Sequence, residues 1–121
     1  MPLLDLQSFC YDDRDQVLPQ LLAGFTDCGG WILDRRTLSS SLVEFRIEVQ
    51  LRSIIDLYAL VIASGLELTR YSHLALTDLC TCRKNAAALT DLGQLVTLRI
   101  EINFLEELTL HSLLASGNAL A

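Results

Sequence analysis

The hydrophobic rhythm of the chain changes period several times, and each change predicts an element. After an irregular start over residues 1–11, Asp12 and Asp13 precede Val17, Leu18, Leu21, Leu22 and Phe25. That spacing predicts an amphipathic helix ending near Gly24. Pro19 lies within it, so the helix either begins there, with proline in its first turn, or kinks. Gly29-Gly30 then break the pattern, and W-I-L-D-R-R-T-L followed by Ser39-Ser40-Ser41 reads as a strand and a turn.

The clearest signals are two alternating runs. Val43, Phe45, Ile47 and Val49 alternate with Glu44, Arg46 and Glu48, and Val96, Leu98, Ile100, Ile102 and Phe104 alternate with Thr97, Arg99, Glu101 and Asn103. Each predicts a strand with one face in the core and one in water. Between them, Leu51, Ile54, Ile55, Leu57, Tyr58, Val61 and Ile62 form a helical stripe over Leu51–Ser64 that Gly65 stops. The strand L-E-L-T-R-Y follows. Over 72–94, Leu74 and Leu76 alternate with Ala75 and Thr77, which favours a strand with a bulge or edge position at Asp78, and a helix is the competitor. Asn85–Leu92, closed by Gly93, and Glu106–Leu114 are expected helices, and residues 116–121 a frayed tail.

From Leu42 onward the order is strand, helix, strand, strand, helix, strand. That is the split βαβ pattern, so the expected fold is one α+β domain over 1–121. Its ferredoxin-like antiparallel sheet carries helices on one face and is preceded by an extra helix and strand. The first and last of these strands would then be antiparallel neighbours. Their near-identical spelling, F-R-I-E-V and L-R-I-E-I, suggests a register with Ile47 facing Ile100, Arg46 facing Glu101 and Glu48 facing Arg99. Such exposed pairs contribute only ~0.2–1 kcal/mol each. They penalise a one-residue slip, which would turn the apolar set outward. An internal duplication is the alternative, since L-D-R at Leu33–Arg35 and L-T-R at Leu68–Arg70 each follow a glycine.

Composition narrows the function classes. The chain has 121 residues, 51% hydrophobic and 20% charged, with net charge −6. An acidic balance disfavours nucleic acid, and no apolar run is long enough for a membrane helix. Asp5 and the lack of a basic opening argue against a secretory signal, so a cytoplasmic location is expected. A mean hydropathy of +0.38 is high for so small a domain and points to a homodimer that hides apolar surface.

Cys10, Cys28, Cys80 and Cys82 read as buried free thiols. A zinc site from His73, Cys80 and Cys82 lacks the C-x2-C knuckle, and no metal or other cofactor is expected. None of the G-x-S-x-G, P-loop, G-x-G-x-x-G, H-E-x-x-H or C-x-x-C motifs is present. His73 beside Cys80 or Cys82 is the one candidate nucleophile dyad. Adjacent Glu106 and Glu107 make a poor acid–base pair. Arg35 and Arg70 are the candidate anion ligands, which a duplicated or dimeric sheet could bring together, and Trp31 and Tyr71 near strand ends could line a cleft.

The stretch from Ser41 to Tyr71, with its strand, helix and G-L-E-L second strand, resembles the opening of an ACT-like regulatory domain. The resemblance implies a ferredoxin-like scaffold, side-by-side pairing, and a ligand held near the loop after the first strand. Here that loop is Gln50-Leu51-Arg52-Ser53, which adds Arg52 to the candidate ligand residues but lacks the Asp, Pro and Gly common there. The expected role is therefore a non-enzymatic, homodimeric regulatory domain binding a small anionic ligand or a protein. The alternatives are a small enzyme using His73 or a cysteine, and an acidic secretion or assembly chaperone.

Overall fold

A computed structural model describes residues 3–84 and 92–105, with no account of the side chains of 82–84. Among the described residues the chain is α+β, with one five-stranded mixed sheet and three helices. In chain order the elements are β1 (Leu4–Cys10), α1 (Arg14–Asp27), β2 (Trp31–Thr37) and β3 (Leu42–Gln50). A 3-10 turn (Leu51–Ser53) leads into α2 (Ile54–Ala63), and β4 (Glu67–Leu68), α3 (Arg70–Lys84) and β5 (Leu95–Phe104) follow. The strand order across the sheet is β2-β3-β5-β1-β4. Only β1 and β5 run parallel, so the sheet is mixed where a wholly antiparallel one was expected.

β3 and β5 are antiparallel neighbours, as their sequences suggested, but two residues away from the anticipated register. Ile47 faces Leu98, Phe45 faces Ile100, Arg46 faces Arg99 and Glu44 faces Glu101. A two-residue shift leaves every side chain on its own face, so alternation alone cannot tell the two registers apart. The ladder is closed at both ends by backbone bonds in the same register. Leu51 N–H donates to the Gln94 carbonyl at 2.8 Å, and Phe104 N–H donates to the Ser41 carbonyl at 2.8 Å.

The expected irregular start is a strand. In β1, Leu6, Ser8 and Cys10 are buried while Asp5, Gln7 and Phe9 face outward. The tail expected over 116–121 and the helices expected over Asn85–Leu92 and Glu106–Leu114 fall outside the described residues, apart from Leu92.

α1 opens on Asp13, whose carboxylate accepts from Asp15 N–H, and it continues three residues past Gly24 to Asp27. Pro19 sits inside it. At Gly24 α1 crosses α2 closely, since a Cβ there would collide with the Leu60 side chain. After α2 the chain turns at Gly65, whose φ of +83° disfavours any residue with a side chain.

The strand expected in L-E-L-T-R-Y is only two residues long, and the region favoured as a strand is α3. Thr69 caps it: Ser72 N–H donates to Thr69 Oγ1 at 3.2 Å. Ser72, Leu76 and Leu79 are buried at helical spacing, whereas Leu74, which suggested alternation, is 53% exposed. One hydrophobic core joins the apolar face of the sheet to the three helices, with Phe25 and Phe45 packed edge to face at 6.0 Å.

Candidate functional site

With α1, α2 and α3 on one face, the opposite face of the sheet is polar over the described residues. Its centre is Arg99. The guanidinium donates to Asp5 Oδ1 at 2.9 Å and to Glu44 Oε2 at 3.2 Å, and it makes a short bond to Glu101 Oε1. Its Nε lies 3.0 Å from Glu44 Oε1. These bonds, that to Glu101 foremost, push the Arg99 pKa above its ordinary value, although partial burial opposes them.

One cation thus holds three carboxylates from β1, β3 and β5. The like-charged residues that face one another across β3 and β5 are reconciled by diagonal contacts, Arg99 reaching Glu44 instead of its direct partner Arg46. Both Arg99 and Glu44 are largely covered, at 20% and 8% side-chain exposure, so the network is a structural clamp across three strands.

The expected ligand residues are not gathered into one pocket. Trp31 and Arg35 lie on β2 at one edge of the sheet. Arg70 and Tyr71 open α3, next to β4 at the other edge. Four strand spacings between those edges amount to about 19 Å, too far for both arginines of one chain to grip a single carboxylate. Leu33–Arg35 and Leu68–Arg70 also occupy unlike elements, the first within β2 and the second across the β4–α3 junction, so they are not equivalent positions of a repeat. Arg52 is exposed in the 3-10 turn. Arg35 is committed to a contact of its own, its guanidinium 5.8 Å from the Phe45 ring centre.

The nucleophile dyad does not assemble between His73 and Cys80. They stand seven residues apart on α3, which is about 10 Å along a helix axis. The Tyr58 hydroxyl lies 2.7 Å from His73 Nε2 and 2.9 Å from Nδ1, so it engages one ring nitrogen at a time. Burial pushes the Cys10 thiol up, as it does Cys28, where the charges of Asp56 and Asp27 add to it. Both shifts move away from the thiolate that nucleophilic chemistry needs. Among the described residues no group of three His, Cys, Asp or Glu could hold a metal ion, and no helix is long and apolar enough to cross a membrane.

Two apolar surfaces stand out. The first is a shallow groove between α2 and α3, lined by Ile55, Tyr58, Ala59, Ile62, Ala63 and His73. The second is the edge formed by β2, where Trp31, Ile32, Leu33 and the following Leu38 are 57%, 37%, 53% and 45% exposed.

The two sheet edges are treated differently. At the β4 edge, Gln7 N–H donates to Ser72 Oγ at 2.7 Å and the Gln7 carbonyl accepts from Thr69 N–H at 3.0 Å. The start of α3 therefore consumes edge groups of β1 that β4 is too short to reach. At the β2 edge all residues except half-covered Asp34 are exposed over seven residues. A strand of that length with apolar side chains, left uncovered by the described residues, is a template for another strand. Nothing in the sequence marked β2 as the terminal strand, because edge position depends on which strands pair.

No family model, curated protein or solved structure matches the chain.

Proposed function

We propose that the protein is a non-enzymatic binding domain that acts as a homodimer and serves regulation by holding a partner protein or a small anionic ligand. The observation that carries this reading is the uncovered, apolar β2 edge in a domain whose other edge is closed by α3. Material buried at that edge accounts for the high mean hydropathy of the chain. The raised thiol pKa values and the separation of His73 from Cys80 weigh against the enzyme alternative.

The ferredoxin-like and ACT-like assignments, and a cytoplasmic setting, belong to the same proposal. The two fold assignments are supported by β3 and β5 lying side by side and by α1, α2 and α3 packing on one face. Light scattering across a concentration series tests the homodimer, and a mass of one chain at high concentration would reject it. For the ligand, a thermal-shift panel of amino acids, nucleotides and small carboxylates is expected to raise the melting temperature with at least one anionic compound.

A further inference from the structure

The homodimer reading leaves open which surface pairs and in what register, and the chemistry of β2 answers both. On β2 the open face of the sheet carries Asp34 and Arg36, which pair with Arg46 and Glu44 of β3, and the helix face carries Arg35 and Thr37, which pair with Phe45 and Val43. The irregularity between Ile32 and Asp34 lies outside this stretch, so Asp34–Thr37 is regular strand. Two identical antiparallel edges can meet only about a two-fold axis normal to the sheet, which keeps each face on its own side.

Directly opposed residues must then share a face, and the axis must pass beside one residue. An axis at Asp34 sets that carboxylate against its own copy, and an axis at Arg36 does the same to that guanidinium. An axis at Arg35 sets Asp34 of each copy opposite Arg36 of the other, twice. In the single chain Asp34 Oδ2 already lies 3.0 Å from Arg36 Nε, so the assembled edge would carry a square of two carboxylates and two guanidiniums. Arg35 then faces its own copy, but on the helix face, where its guanidinium is drawn back over Phe45.

We propose that two copies of this chain pair along β2, antiparallel about a two-fold axis beside Arg35, giving a continuous ten-stranded sheet with Asp34 of each copy against Arg36 of the other. Leu33 of one copy then comes opposite Thr37 of the other at each end of the regular stretch, which draws the exposed Leu33 against the partner. The proposal rests on the homodimer reading and adds its surface and register.

The test uses two charge reversals on exposed side chains, Asp34→Arg and Arg36→Asp. Each alone places like charges opposite one another in the homodimer and is expected to weaken self-association at least about tenfold. Mixed in equal amounts they should form a one-to-one dimer. Each chain's own pair stays broken in that mixture while both cross-copy pairs become complementary. Arg35→Cys should form an intermolecular disulfide on mild oxidation, and Thr37→Cys should not, which separates the Arg35-centred register from its neighbours. Single reversals that dimerise like the wild type would overturn this arrangement while leaving the homodimer intact, as would a mixture that stays monomeric or a Thr37→Cys crosslink equal to that of Arg35→Cys. A monomeric wild type would overturn both readings.

Discussion

At the scale of single residues, Arg99 carries the largest electrostatic responsibility. It is the shared partner of Asp5, Glu44 and Glu101, and Glu44 is nearly covered. Arg99→Met keeps much of the volume but strands Glu44, for which Arg46, 4.0 Å away, is a weak substitute. The expected loss in urea unfolding is about 2–3 kcal/mol, between the values for exposed and fully buried pairs. Adding Glu44→Met should restore much of it, because an apolar pair does not need the compensation that a stranded charge does.

Cys10 gives a pH signature. Its thiol is fully buried and its pKa is raised by that burial from an ordinary 9.0. The unfolded chain therefore loses this proton first as pH rises, and the stabilising contribution, complete below about pH 9, declines above it. Denaturation of wild type and Cys10→Ala across pH 7–10.5 should show a constant difference up to about pH 9 and a shrinking wild-type advantage beyond. A difference that grows with pH would contradict the assignment. Arg99 adds no such dependence, since its raised pKa keeps it charged throughout that range.

At the scale of elements, α1 and α2 were legible as helices and β3 and β5 as strands because long apolar stripes of one period leave little choice. β1 was missed because its outer half inverts the usual chemistry. Ser8 is buried, donating to the Glu101 carbonyl at 2.8 Å, while Phe9 is 37% exposed. α3 was missed for the opposite reason, an exposed Leu74 that mimics strand alternation. The Thr69 cap and the Ser72, Leu76, Leu79 spacing are the signals that identify it.

The α1–α2 crossing offers its own check. Gly24→Ala should gain about 1 kcal/mol from helix propensity, but the new methyl would press on Leu60. The net change is expected to be near zero or unfavourable in the wild type. In a Leu60→Ala background the full gain should appear, and a double-mutant cycle read by thermal unfolding measures the difference. Strict additivity of the two substitutions would show that the contact does not constrain the crossing.

For the whole molecule, the asymmetry of the two edges is the dominant feature. One edge ends in a two-residue strand whose exposed partners are taken by Thr69 and Ser72; the other ends in a seven-residue strand that no other described element covers. Leu33→Lys places a charge in the middle of that open edge, where natural proteins put lysine to prevent strand pairing. Leu33 is half exposed, so the fold should persist with stability changed by no more than about 0.5 kcal/mol. The dissociation constant of the proposed β2 dimer should rise at least about tenfold. Sedimentation velocity with circular dichroism separates the two effects. A dimer that survives Leu33→Lys unchanged would move the interface to another surface, the α2–α3 groove first.

What the amino-acid order determined by itself was local: the period of each long apolar run, hence the helix or strand it forms and the face it buries. The adjacency of β3 and β5 was also anticipated, although the charge pairing that suggested it is not the one the structure makes. Tertiary structure decided the rest. Alternation is blind to shifts of two residues, so the β3–β5 register was settled by the closing bonds of Leu51 with Gln94 and Ser41 with Phe104 and by Arg99 reaching diagonally. Which strands stand at the edges, and which arginines stay apart, follow from the order in which strands pair. That order comes from long-range packing, which no local window of sequence contains.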